Sequence, residues 1–182
     1  MKFRLLVASG VIILSLCVLL VVFYARMNAK AVSGNEVTNS CGYIPYLSSF
    51  LYIDMNGKVL SVTDNTSGNL PVIEGLSYNR FVLGETLKTN DNSAFNTIAY
   101  LVKLCNKYQL GDNFISKVDV TNLENIHLYT KNVYVTFGSM ESADEKIRTL
   151  KEIITNLHVA EGVKGLLDIS VIGRQYIFTV LT

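Results

Sequence analysis

An unbroken apolar run from Leu5 to Tyr24 constrains this chain more than any other feature of its sequence. Its twenty residues, rising about 1.5 Å each in a helix, match a hydrocarbon core about 30 Å thick. A charged side chain inside such a segment is costly, and the run contains none. We therefore predict a transmembrane helix over residues 5–24 that anchors a single domain.

The charges that flank this run predict its orientation. Lys2, Arg4 and the terminal amine precede it, whereas Arg26 and Lys30 are spread over the segment that follows. Short loops rich in Lys and Arg stay in the cytoplasm, so residues 1–4 are interpreted as a cytoplasmic tail and the domain as extracytoplasmic. The alternative is a cleaved signal peptide, since residues 29–31 resemble a small-residue cleavage site, but the run is longer than the usual apolar core of such peptides.

The composition of the rest of the chain limits what kind of domain it can form and which partners it can bind. About 140 residues follow the anchor and the polar segment 25–42, which is enough for one hydrophobic core. A formal net charge of +1 without Lys/Arg clusters argues against nucleic acid as a partner. Cys17, Cys41 and Cys105 do not form a disulfide framework, and Cys41 is expected to be a free thiol that an impermeant maleimide reaches.

The hydrophobic pattern from residue 43 to 182 predicts an α+β domain with a mixed or antiparallel sheet and two helices. Asn56-Gly57 marks a hairpin turn, because it supplies the positive φ angles that a tight turn requires. Residues 115–137 favour an antiparallel meander. The predicted short strands are 50–53, 58–62, 71–73, 81–83, 115–120, 126–129, 133–137, 166–170 and 176–181.

Two helices are predicted from residues spaced by three and four. The first begins at Asp91 or Asn92, ends near Gly111, and presents one apolar face formed by Phe95, Ile98, Val102 and Cys105. The second begins with a capping box over residues 142–145. Its apolar stripe is Ile147, Leu150, Ile154 and Leu157, and its solvated side chains are Glu145, Arg148, Lys151 and Glu152.

The sequence contains no motif that predicts catalysis or a bound cofactor. The spacings typical of metal sites, phosphate-binding loops and activated nucleophiles are missing, so no catalytic, cofactor-binding or metal-binding residue, no small-molecule substrate and no enzymatic activity is assigned. His127 is interpreted as an outward sheet residue, and His158 as following a helix. The aspartates at strand ends, Asp54, Asp64, Asp119 and Asp168, are interpreted as bonding local backbone.

Four strings in succession carry a resemblance to a known family: YIPYLSSFLYIDMNGKVL, NLPVIEGL, VYVTFGSMESADEKIRTLKEIITNL and GLLDIS. Their order and spacing resemble the C-terminal β domain of the FtsQ/DivIB family of bacterial cell-division proteins. The resemblance implies a bitopic membrane protein of the division septum. It further implies a scaffold without catalytic activity, whose partners are FtsB/DivIC and FtsL-type proteins.

The chain departs from this family before the β domain. Members normally carry a POTRA module between the membrane helix and the β domain, whereas eighteen residues, 25–42, separate them here. This segment is interpreted as a linker or POTRA remnant. The chain is then either a naturally shortened paralogue or an internally deleted form.

The partner site is predicted at the last strand. No later segment is expected to cover that strand, and an exposed strand edge invites the addition of a partner strand. Family resemblance also assigns this end of the domain to the FtsB/DivIC contact. The predicted partner-binding residues are Arg174, Tyr176, Ile177, Phe178, Thr179 and Val180. Two alternatives remain: a membrane-anchored extracytoplasmic enzyme, such as a wall hydrolase or peptidase, and a ligand-binding or adhesion module.

Overall fold

A computed structural model describes residues 40–66, 70–89, 92–110, 114–130, 132–157 and 163–181. These ranges lie within one unit, Asn39–Thr182. The predicted tail, the predicted span 5–24 and residues 25–39 of the predicted linker lie outside the described residues. Within the described part, no helix has the length and apolar character that crossing a bilayer requires.

The described residues form a nine-stranded mixed sheet and two helices, which confirms the predicted α+β domain. The order across the sheet is β3-β2-β1-β4-β5-β6-β7-β8-β9. The pairs β1–β4, β4–β5 and β7–β8 are parallel, and the others are antiparallel. The elements are β1 Ser40–Tyr46, β2 Ser49–Asp54, β3 Val59–Thr63, β4 Val72–Glu74, α1 Asn92–Lys107, β5 Lys117–Asp119, β6 Ile126–Thr130, β7 Val133–Gly138, α2 Ala143–Asn156, β8 Lys164–Asp168 and β9 Phe178–Leu181.

The predicted hairpin at Asn56-Gly57 is confirmed, because β2 and β3 pair antiparallel on either side of it. Gly57 alone has a positive φ, 75°, whereas Asn56 does not. The turn is instead held by Asp54, whose Oδ1 accepts hydrogen bonds from the backbone N–H groups of Asn56 (2.8 Å) and Lys58 (2.9 Å). One left-handed residue therefore suffices here, and the aspartate carboxylate stabilises the rest of the turn.

One hydrophobic core joins the helices to one face of the sheet. Alternate residues of the predicted meander are buried, as a sheet covered on one face requires. In α1 the most buried residues are Ile98, Leu101 and Leu104, whereas Phe95, Val102 and Cys105 of the predicted face are half-buried. The predicted face therefore packs against the core, but its most buried part includes Leu101 and Leu104, which the prediction omitted. Residues 81–83 form no strand, contrary to prediction.

Helix α2 forms as predicted, but its capping box does not. Ser142 has φ 53° and ψ 29°, and its side chain makes no capping hydrogen bond. An N-cap serine bonds the helix when its backbone is extended, and the left-handed backbone of Ser142 does not allow this. Ile147 and Leu150 of the predicted stripe are fully buried, and Ile154 and Leu157 are half-buried.

Lys151 differs from its predicted solvated state. Its Nζ donates a hydrogen bond of 2.7 Å to the backbone carbonyl of Tyr108, just beyond the end of α1. A second contact joins the same two helices, because Asp144 in α2 accepts hydrogen bonds from Lys107 Nζ and from the Tyr108 hydroxyl. These polar contacts fix α2 against the end of α1.

The sheet begins earlier than the sequence indicates. Strand β1 starts at Ser40, so residues 40–42 belong to the sheet rather than to a linker. Cys41 is a free thiol but is fully buried. Its pKa is raised to about 12, mainly by desolvation and to a smaller extent by the negative charge of Asp54. The prediction that maleimide labels Cys41 is therefore wrong for the folded domain. Cys105 is also a free thiol.

Candidate partner-binding edge

The two ends of the sheet differ at their outer edges, because β3 is bonded there at its first residue and β9 at none of the described residues. At the β3 end, Val59 exchanges backbone hydrogen bonds with residues 84 and 85: its N–H donates to Glu85 O (2.9 Å), and its carbonyl accepts from Gly84 N–H (2.8 Å). At the other end, no described residue pairs with β9 except those of β8. Within the part of the chain that the structure describes, β9 thus has an open edge.

Hydrogen bonds made by β8 establish which of its residues point toward β9. Gly165 N–H donates to Asn132 O, and Ile169 N–H donates to Thr136 O, each at 3.0 Å. Odd-numbered residues of β8 therefore direct their backbone groups toward β7. Because successive residues of a strand point to opposite sides, Leu166 directs its N–H and C=O toward β9.

The register of β9 then determines which of its backbone groups face outward. Leu166 lies opposite Thr179, so Thr179 bonds β8. Phe178 and Val180 consequently direct their N–H and C=O groups to the open edge. This is the hydrogen-bonding pattern that an added strand requires.

The side chains of β9 divide between the two faces of the sheet. Phe178 is half-buried and lies over Gly165 on the core face. Val180 shares that face and is 52% exposed. Ile177, which is 68% exposed, precedes β9, and Thr179 and Leu181 are exposed on the opposite face. The edge therefore offers apolar side chains on both faces.

A shallow cavity of about 460 Å³ adjoins β9. Exposed Leu166 and Leu181 contribute to its wall, together with Tyr129 and Tyr134, whose rings meet edge to face at 4.8 Å. The full lining is Tyr129, Asn132, Val133, Tyr134, Lys164, Gly165, Leu166 and Leu181. An apolar side chain of a bound protein would be well accommodated here.

Ionic and aromatic contacts support this cavity from the neighbouring strands. Lys117 Nζ lies 4.0 Å from the centre of the Tyr129 ring and 3.2 Å from Glu74 Oε2. His127 stacks on Tyr134 with ring centres 5.0 Å apart. Together these contacts hold the aromatic wall in place.

The six residues predicted to bind a partner lie together at this end of the domain. Arg174 is exposed in the turn before β9, and Tyr176 is half-buried against the core. Regular strand structure begins at Phe178 rather than at residue 176. The predicted strand was therefore two residues too long, and whether these residues bind a partner stays a prediction.

Sequence reasoning missed one buried charge, Lys146 in α2. The sequence spacing could have indicated its burial. The i, i+3, i+4, i+7 pattern of a buried helix face is followed by Ala143, Lys146, Ile147 and Leu150. All four are buried. The apolar stripe thus extends one turn toward the N-terminus and includes a lysine.

The aspartates mostly bond local backbone, as predicted. Asp119 and Asp168 accept hydrogen bonds from the N–H groups two residues later, Thr121 (2.9 Å) and Ser170 (2.8 Å), as Asp54 does in its turn. Asp64 differs, since its Oδ1 accepts from the Ser49 hydroxyl. No group of three or more His, Cys, Asp or Glu side chains suited to a metal ion occurs among the described residues.

The fold defines an α+β domain built on a mixed sheet, in which β9 has an open outer edge among the described residues. The chain belongs to the family described as FtsQ/DivIB, C-terminal related, whose family model matches residues 46–175. This confirms the resemblance drawn from the four sequence strings.

Two relatives illustrate this membership. The chain is 28% identical over 139 residues to the cell division protein DivIB of Clostridium tetani, covering 75% of this chain and 52% of the relative. It is 24% identical over 132 residues to DivIB of Clostridium botulinum strain Hall, covering 72% and 51%. The chain thus spans about half the length of these curated relatives.

Proposed function

We propose that this chain is a bitopic scaffold of the bacterial division septum. Residues 5–24 anchor it in the membrane, residues 1–4 remain in the cytoplasm, and the domain from residue 43 onward, with the strand residues 40–42, acts outside. Membership of the FtsQ/DivIB-related family and the cell-division relatives support this role. The domain acts by binding proteins and not by catalysis.

The observation that carries the proposal is the open edge of β9. Phe178 and Val180 direct their backbone groups outward, and an added strand from an FtsB/DivIC or FtsL-type partner bonds them. Exposed Ile177, Thr179 and Val180 give selectivity, as alternate side chains do in strand addition. Arg174 and Tyr176 extend the contact into the preceding turn.

Proline substitution tests this binding mode. In the full chain, Val180→Pro removes an outward N–H, so co-purification with the FtsB/DivIC-type partner should be lost while the melting temperature changes little. Thr179→Pro removes an N–H that bonds β8, so it should destabilise the domain itself. Val180→Ala is the matched control, because it shortens the same side chain and keeps the N–H.

Retention of the partner by Val180→Pro would place the binding site elsewhere. Septal localisation is a separate test, made with a fluorescent fusion to the full chain. The proposal expects a band at midcell, and a uniform signal over the envelope would contradict it. The two measurements distinguish a wrong binding surface from a wrong cellular role.

A further inference from the structure

Lys146 is a buried ammonium group held by neutral partners. Its side chain lies in α2 with the residue 2% exposed. Nζ donates a hydrogen bond of 2.9 Å to the backbone carbonyl of Ser139 and lies 5.1 Å from the centre of the Phe137 ring. Both contacts favour the protonated, positively charged form of the Lys146 side chain. The hydrogen bond to Ser139 uses one of the three ammonium donors.

The charge of Lys146 has no direct anionic partner among the described residues. No carboxylate oxygen there lies within 4.0 Å of Nζ. Burial lowers the pKa of Lys146, and the more distant carboxylates of Glu141 and Asp168 offset only part of this effect. Buried charges in proteins are ordinarily paired or bound to a ligand.

A cavity of about 210 Å³ has Lys146 in its wall. It opens between the turn that follows β7 and the turn that follows β8, two parallel strands joined through α2. Ligands commonly bind outside the carboxyl ends of parallel strands. The lining residues are Glu141, Ser142, Lys146, Ser170, Val171 and Ile172.

We propose that this cavity binds a single carboxylate group, with Lys146 Nζ as its cationic partner. Ser142 and Ser170 also line this space, and a serine hydroxyl can act as a further donor. Glu141 and Asp168 lie near enough to influence Lys146, and they would repel a doubly charged phosphate more than a singly charged carboxylate. The carboxylate comes either from a free small acid or from an acidic side chain of a bound polypeptide. This site is separate from the β9 edge and does not depend on the proposed septal function.

Ligand-induced stabilisation of the full chain in detergent tests the site. A ligand that binds only the folded state raises the melting temperature as its concentration increases. Sodium acetate should raise the melting temperature above that in sodium chloride of equal ionic strength. Lys146→Met should weaken the fitted affinity at least about tenfold, or about 1.4 kcal/mol. Lys103→Met, at an exposed position on α1, removes the same charge and should leave the response unchanged.

Two further arms complete the test. Val171 lines the cavity and is 44% exposed. Val171→Trp keeps Lys146 but fills the cavity, so it should also remove the acetate response. This variant tests the site even if Lys146→Met does not fold. A blocked Gly-Asp-Gly peptide should act like acetate if an acidic side chain is the source, whereas a response to acetate alone indicates a free acid. An acetate response no larger than that to chloride, or one retained in both cavity variants, would overturn the proposal.

Discussion

Phe178 lies directly over Gly165, so closely that a Cβ atom added to Gly165 would fall 2.0 Å from Phe178 Cζ. The space on β8 that a side chain would occupy is filled by the aromatic ring from β9. This pairing holds the edge strand against the core, although β9 is otherwise largely exposed.

We therefore expect Gly165→Ala to displace Phe178 and loosen β9. Overpacking of this kind costs about 1 to 3 kcal/mol, which urea unfolding of the full chain measures. Partner co-purification should weaken with it, because the open edge moves.

A double-mutant cycle checks the cause. Phe178→Leu makes room for the new methyl group, so the double variant Gly165→Ala, Phe178→Leu should lose less stability than the sum of the two single changes. Additive losses would show that the two residues do not constrain each other.

Leu150 tests the packing of α2. It is fully buried, so Leu150→Asp replaces apolar contacts with an unpaired carboxylate and should cost about 3 to 5 kcal/mol. Arg148→Asp on the exposed face of the same helix replaces weak ion pairs with Glu145 and Glu152 by exposed like-charge contacts, and should cost about 1 kcal/mol. Equal melting temperatures for the two variants would contradict this packing.

Lys151 provides a separate test of the contact between the helices. Lys151→Met keeps most of the aliphatic stem but removes the hydrogen bond to the Tyr108 carbonyl, so we expect a loss of about 1 to 2 kcal/mol. Lys103→Met is the control, because Lys103 is exposed. If both variants unfold at the same urea concentration, the contact contributes nothing measurable.

Cys41 should be unreactive while the domain is folded. With a pKa of about 12, its thiol is protonated at pH 8, and full burial also blocks access. Maleimide labelling followed by mass spectrometry should detect Cys41 adducts only after urea is added. Rapid labelling of Cys41 without urea would mean that β1 opens readily.

Burial of Cys41 also changes how the proposed orientation should be measured. Asn56 lies exposed at the tip of the β2–β3 hairpin, so Asn56→Cys offers a thiol that a reagent can reach. In intact cells freed of their wall, a membrane-impermeant maleimide should label Asn56→Cys. Labelling only after lysis would place the domain in the cytoplasm.

Local pattern predicted the elements of this fold better than their arrangement. The Asn56-Gly57 turn, the stripe through Ile147 and Leu150, and the meander through Leu128 and Val135 each depend on neighbours in sequence, and each formed as predicted. The parallel pairing of β1 with β4 joins Tyr43 to Val72. Such distant pairing depends on packing across the whole sheet.

The errors also have local physical causes. Serine is a common N-cap residue, but the backbone of Ser142 is left-handed. The Ser-Ala-Asp-Glu string does not reveal this conformation. Lys146 was left out of the predicted apolar stripe, although its spacing from Ala143 and Leu150 places it on the buried face. At the candidate site, the sequence located the last strand, whereas the outward direction of Val180 required the hydrogen bonds of β8.

The interior position of β1 in the sheet has a mechanical consequence. β1 is paired with β2 along its length and with β4 at Tyr43. Tension applied at Ser40 therefore pulls along a strand that has partners on both sides, and loads several hydrogen bonds at once, in shear. β9 is bonded to β8 alone among the described strands, and a pull across it would separate those bonds one after another. A domain loaded between these two strands would therefore yield first at β9 while β1 held.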